Sequence, residues 1–93
     1  MRSRSLSFTL PAGVPTRILN CPIMNLHSFM ITIGTNSTYI GDSSVNPGVG
    51  LPFNQWDVFG MSSKDFKDVD DVIDIWAVNA VAATVYLISW ELD

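Results

Sequence analysis

Residues 29–51 read FMITIGTNSTYIGDSSVNPGVGL. Phe29, Met30, Ile31 and Ile33 make a short apolar run. Gly34, Thr35, Asn36 and Ser37 then give a turn signal, and Thr38, Tyr39 and Ile40 resume a β-branched and aromatic pattern. Runs of this kind, split by glycine and small polar residues, predict a β-hairpin. Gly41 and Asp42 end it, and the Ser, Asn, Pro and Gly residues at 43–50 predict a rigid, exposed loop before Leu51. Nothing in the stretch forms a catalytic pattern, so it specifies architecture.

On the N-terminal side, Leu6, Phe8 and Leu10 alternate with Ser7 and Thr9, the period of a half-buried strand. A turn is predicted at residues 11–15 (PAGVP) and a second strand at 16–19, limited by Pro22. Residues 20–28 fit neither period and predict a loop with one or two anchoring side chains. On the C-terminal side, Val72, Ile73, Ile75, Trp76 and Val78 predict a buried strand, and residues 80–83 a small-residue turn. The clearest strand is the last, with Tyr86, Ile88, Trp90 and Leu92 on one face and Val85, Leu87, Ser89 and Glu91 on the other. Both faces are largely apolar, which predicts a central position in its sheet. About seven short strands at intervals near ten residues predict an all-β fold, a small antiparallel β-sandwich. Its organisation is read as a basic N-terminal arm at residues 1–5 and a single sandwich domain at 6–93.

Composition narrows the function. The chain has 93 residues, 47% of them hydrophobic, enough for one core. So short a chain buries only about 60 to 65% of its unfolded surface, which favours oligomerisation or docking on a larger body. Nine acidic residues against five basic ones give a net charge of −4. No basic face for phosphates can be assembled, so nucleic acid is not expected as a partner. The single cysteine, Cys21, allows no internal disulfide and no cysteine-based metal site. That usage fits a reducing compartment, or a particle assembled inside a cell. Residues 1–5 carry the charge of a signal peptide's first region, but Pro11 and Gly13 precede any useful apolar stretch, so secretion by that route is not expected. No run approaches the roughly 18 apolar residues of a membrane span, so no membrane association is expected.

Chemical patterns are sparse. His27, the only histidine, has no Cys or second His to share a metal and no G-x-S-x-G motif nearby, so it reads as a solvated or hydrogen-bonded loop residue. Five aspartates between residues 65 and 74, with Asp57 shortly before, raise the question of calcium. The segment at 68–72 lacks both the glycine and the late glutamate of a calcium loop, and a solvated acidic loop is the better reading. Gly48 and Gly50 lack the third glycine and following helix of a phosphate loop. The acids crowd one loop instead of facing each other across a cleft, as glycosidase acids do. Asn36, Ser37 and Thr38 match a glycosylation pattern that is common by chance and read as the turn. No enzyme, cofactor or metal site is expected. Phe53, Trp56 and Phe59, within a strand pair or irregular crossing, are read as core or edge packing, with a partner-facing patch as the functional alternative.

Residues 31–51 resemble a group of small β-sandwich virion proteins of tailed bacteriophages. In these a strand of the type I-x-N-x-G-x-N-x-x-Y-I-G is followed by S-x-V-x-x-x-x-G-x-x-L and by a closing strand. The matching residues are Gly34, Asn36, Tyr39, Ile40, Gly41, Ser43, Val45 and Gly50. The aromatic crossing at 53–59 and the acidic loop at 65–74 depart from that pattern. The resemblance implies a virion structural protein, most specifically a capsid cement or decoration protein on the outer surface of the head, assembled in the host cytoplasm. It would bind the major capsid protein and form a homo-oligomer, with a trimer expected. Candidate interface residues are Arg2 and Arg4, whose charge stands out on an acidic chain, with Phe53, Trp56 and Phe59. The alternatives are a tail or head-to-tail component and a carbohydrate-binding module. The latter would present a flat row of aromatics, for which Trp56 and Trp76 are the candidates, although Trp76 is expected to be buried.

Overall fold

The computed structural model describes residues 2–62 and 72–92. It is all-β, with eight strands in two four-stranded antiparallel sheets. The strands are β1 (Arg2–Leu10), β2 (Thr16–Pro22), β3 (Leu26–Ile33), β4 (Thr38–Gly41), β5 (Leu51–Phe53), β6 (Val58–Ser62), β7 (Val72–Asn79) and β8 (Ala83–Glu91). One sheet, A, runs β1-β8-β3-β6, and the other, B, runs β2-β7-β4-β5. A single 3-10 turn at Ile23–Asn25 joins β2 to β3. The expected loop at 20–28 is therefore shorter than its sequence suggests, anchored by buried Ile23 and Leu26.

The sandwich expected from spacing and alternation is present, and β8 lies inside its sheet between β1 and β3. The segment at 50–61, read as a strand pair or an irregular crossing, supplies two strands, β5 and β6, and the chain crosses between sheets from one to the other. Two expectations are corrected. Residues 2–5 are not an arm: Arg2 pairs with Glu91 and Arg4 with Ser89, and the ladder continues without a break to Leu10 and Ala83. The stretch at 29–41 is not a hairpin, because β3 joins sheet A and β4 joins sheet B. Residues 34–37 form an arch that carries the chain across the roughly 10 Å between sheets. Phe29, Ile31 and Ile33 on one side then face the core together with Thr38 and Ile40 on the other.

Polar bonds hold that arch to residues more than forty positions away along the chain. The Gly34 N–H donates to the Thr84 carbonyl at 2.9 Å, and the Thr84 N–H donates to Thr35 Oγ1 at 3.2 Å. A Cβ on Gly34 would stand 2.8 Å from the Thr84 carbonyl oxygen, so only glycine allows this approach. Asn79, fully buried, donates through its amide to the Asn36 carbonyl at 2.8 Å and to Thr38 Oγ1 at 3.0 Å. Its side-chain oxygen accepts from the Val81 N–H at 3.1 Å. A buried amide with these bonds satisfied fixes the arch against the β7–β8 connection, which also changes sheets.

The chain's one hairpin within a sheet, among the described residues, is β4–β5, closed by residues 42–50. The Ser44 N–H and hydroxyl both donate to Asp42 Oδ1, and Val45 drops its side chain into the interior at 2% exposure. The main core unites Leu10, Ile18, Leu26, Phe29, Ile31, Ile33, Ile40, Val85 and Leu87.

Candidate functional site

The five residues singled out in the sequence do not come together. Arg2 and Arg4 occupy inward positions on β1, an edge strand of sheet A, and reach Glu91 on β8. Arg2 Nη2 lies 3.9 Å from Glu91 Oε2 and Arg4 Nη1 lies 3.9 Å from Oε1. Phe53 and Phe59 lie across the molecule on the edge strands β5 and β6, half-buried, with ring centroids 5.8 Å apart. Phe59 also meets buried Phe29 at 5.9 Å. These two phenylalanines pack against the core. Trp56 alone of the three is exposed, at 65%, and has a left-handed backbone with φ of 70°. Its N–H donates to the Ile33 carbonyl at 2.7 Å, which ties the turn between β5 and β6 to the end of β3.

Between β1 and β2 the sandwich stands open. A cleft of about 270 Å³ is lined by Arg4, Leu6, Ile18, Leu87, Ser89 and Glu91. The Glu91 side chain is only 16% exposed, and its buried Oε2 has no hydrogen-bond partner. Cys21 borders the same space. Burial pushes its thiol pKa up, the Glu91 carboxylate adds to this, and Arg4 opposes it.

Trp76 was expected to be buried but lies half-buried on the outer face of sheet B. Its indole N–H donates to Asp74 Oδ1 at 2.9 Å, the same oxygen that accepts from Arg17 Nε at 3.1 Å. The Arg17 guanidinium sits 4.9 Å from the indole centroid, a cation–π contact that covers part of the ring. Of the acidic stretch at 65–74, residues 65–71 lie outside the described residues. Among the described residues no three His, Cys, Asp or Glu side chains converge on a point, and no helix is long and apolar enough to cross a membrane.

No protein-family model, curated protein or solved structure matches this chain. The site must therefore be read from its own surface.

Among the described residues, the outer face of sheet A is a surface without charge. Register places Ser3, Trp90, Ser28 and Ser62 in one row across the sheet, and Ser5, Ile88, Met30 and Gly60 in the next. Ser7, Tyr86, Thr32 and Val58 make a third row. None of these twelve positions carries a charge. Tyr86, Ile88 and Trp90 stand as a ridge along β8, and the serines of β1 leave beside it a shallow groove of about 390 Å³. The sequence holds a signal for this face in the two-sided apolarity of residues 85–92. It does not reveal which side is the core. The side bearing Ser89 and Glu91 turns inward, and the more aromatic side turns out.

Proposed function

We propose that this chain is a bacteriophage virion structural protein, a capsid cement or decoration protein that binds the outer surface of the head. Its outer face of sheet A docks on the major capsid protein and stabilises contacts between subunits. The observation that carries this reading is the charge-free face with its ridge of Tyr86, Ile88 and Trp90. On an acidic chain with charge −4, a flat face free of charge is the composition of an interface centre, where charged residues are depleted and Trp and Tyr serve as anchors. The resemblance of residues 31–51 to phage virion sandwiches supplies the identity of the partner. A protein that binds the assembled lattice in preference to free subunits stabilises that lattice by mass action, with no chemistry required.

The test uses heads assembled from the major capsid protein alone, to which the purified chain is added and occupancy is measured after sedimentation. Wild type should saturate the heads. Trp90→Ala should bind about 30-fold more weakly, the equivalent of about 2 kcal/mol for a hot-spot anchor, with its circular dichroism unchanged. Failure of the wild type to bind heads overturns the proposal, as does equal binding by Trp90→Ala and Ile88→Lys. Binding to tails in place of heads would also overturn it and assign the protein to the tail.

A further inference from the structure

The four edge strands differ in how they present their free backbone. β5 has three residues, one of them Pro52. β6 has five, interrupted by Gly60. β2 has a register shift between Arg17 and Leu19 and ends at Pro22. Shortness, proline, bulges and inward-pointing charges are devices by which natural sheets prevent edge-to-edge pairing. β1 has only the last, Arg2 and Arg4 near one end, each 3.9 Å from the Glu91 carboxylate; it otherwise runs nine residues in unbroken register with β8, and no described strand lies on its other side. Leu6, on its inward face, is 40% exposed at the mouth of the cleft.

We propose that β1 pairs with β1 of a second copy, antiparallel about a two-fold axis at Leu6, so that the two A sheets join into one of eight strands. Directly opposed residues in an antiparallel ladder point to the same face, so the inward residues 2, 4, 6, 8 and 10 must meet inward residues. Registers that set Arg2 or Arg4 against either arginine of the partner bring like charges together, which is destabilising. The register centred on Leu6 avoids this and is also the longest, pairing all nine residues. It places Arg4 opposite the partner subunit's Phe8, Arg2 opposite the partner subunit's Leu10, and the two Leu6 side chains against each other. On the outer face it sets Ser3 beside the partner subunit's Thr9 and Ser5 beside the partner subunit's Ser7, pairs suited to hydroxyl hydrogen bonds.

Nine residues extend about 30 Å, so the ladder between copies would be as long as the one that β1 makes with β8. The pairing is two-fold, in place of the trimer expected from the resemblance, and it leaves the charge-free face of both copies open on one side of the dimer. It does not depend on the capsid reading, since a monomer in solution would overturn the pairing and leave head binding to be decided by its own experiment.

Sedimentation velocity of the full chain over a concentration series should show a monomer–dimer equilibrium. Leu6→Arg, which places two guanidiniums at the axis, should weaken it at least about tenfold. Register is tested independently in a Cys21→Ser background. Leu6→Cys puts opposed Cα atoms about 4.5 to 5.5 Å apart, within disulfide reach, and oxidation should yield covalent dimers. Ser3→Cys leaves its thiols about 20 Å apart in this register and should yield none. A monomer at every concentration, a trimer, or cross-linking of Ser3→Cys as readily as Leu6→Cys overturns the proposal.

Discussion

The two open sides of the sandwich are finished in different ways. Between β5 and β6 the gap is filled by aromatic volume: Phe53 packs edge-on to Phe59, which tilts against Phe29. The turn above is tied down, with Gln55 donating its N–H to Asn36 Oδ1 at 2.7 Å and Trp56 bonded to Ile33. Between β1 and β2 the inward residues are Arg2, Arg4 and a partly exposed Leu6, which lie beside Glu91 and Ser89 of β8 on one wall of a cleft. One side gains its stability from burial, which requires no partner. The other holds a long strand with no described neighbour on its outer edge and half-exposed ion pairs, and gains little until something covers it. A small sandwich can thus be stable on one flank and available for association on the other.

The sharpest way to break this comparison is to truncate one side chain on each flank. Phe29→Ala removes a ring that is 1% exposed and should cost about 3 to 5 kcal/mol, read as a lower urea midpoint. Leu6→Ala, from a position 40% exposed, should cost about 1 kcal/mol in dilute solution where the chain is monomeric. Similar losses at the two positions would mean that the β1 side is closed by some other contact. Gly50→Ala falls between them. Its φ is +133°, and an added Cβ would stand 2.7 Å from Val45 Cγ2 and 3.0 Å from the Ile40 carbonyl oxygen. Backbone strain and the displacement of buried Val45 should together cost about 2 kcal/mol or more.

Much of the fold was legible because strand period is a local property. The alternation of Leu6, Phe8 and Leu10 and that of residues 85–91 both mark strands that exist. Which strand pairs with which is not local. Gly34 to Ser37 carries the composition of a hairpin turn, yet it is an arch. What decides between the two is Asn79 and Thr84, more than forty residues away, which satisfy the arch's polar groups. The same limit hid the charge-free face. Arg2 and Arg4 read as a charged arm because their counter-charge, Glu91, lies at the other end of the chain. Phe53, Trp56 and Phe59 share a spacing in sequence, but backbone geometry sends two toward the core and one to solvent. The charge-free face arises only when β1, β8, β3 and β6 are laid side by side.

A smaller effect sharpens the electrostatic half of the comparison. Glu91→Gln removes two ion pairs whose arginines are more than half exposed. Part of that loss is offset by relief of a buried carboxylate oxygen with no hydrogen bond. The net change in stability should stay below about 1 kcal/mol, and its salt dependence should fall. The informative readout is Cys21. With the Glu91 charge gone and Arg4 retained, the thiol pKa should drop from its raised value, and alkylation at fixed pH should accelerate. An unchanged alkylation rate would show that burial alone governs the thiol.

The smallest expected effect concerns the loop that closes the β4–β5 hairpin on the stable flank. The Asp42 carboxylate accepts from the Ser44 hydroxyl and from the Ser44 N–H, in that order of importance, and these bonds hold its pKa below the ordinary aspartate value. A carboxyl whose folded pKa lies below its unfolded one binds fewer protons in the folded state. Its contribution is therefore fully present above the unfolded pKa and is lost as pH falls through the folded one. Acidification should loosen residues 42–50 before the core responds, because Val45 and the turn above it depend on the Asp42 cap, whereas Phe29, Phe53 and Phe59 carry no titratable group. Amide protection at Ser44, taken relative to the intrinsic exchange rate at each pH, should fall below the ordinary aspartate range while protection in β3 and β8 stays high, and Asp42→Asn should remove that pH dependence. Simultaneous loss of protection in the loop and in β8 would show that the Asp42 cap is not what acidification breaks first.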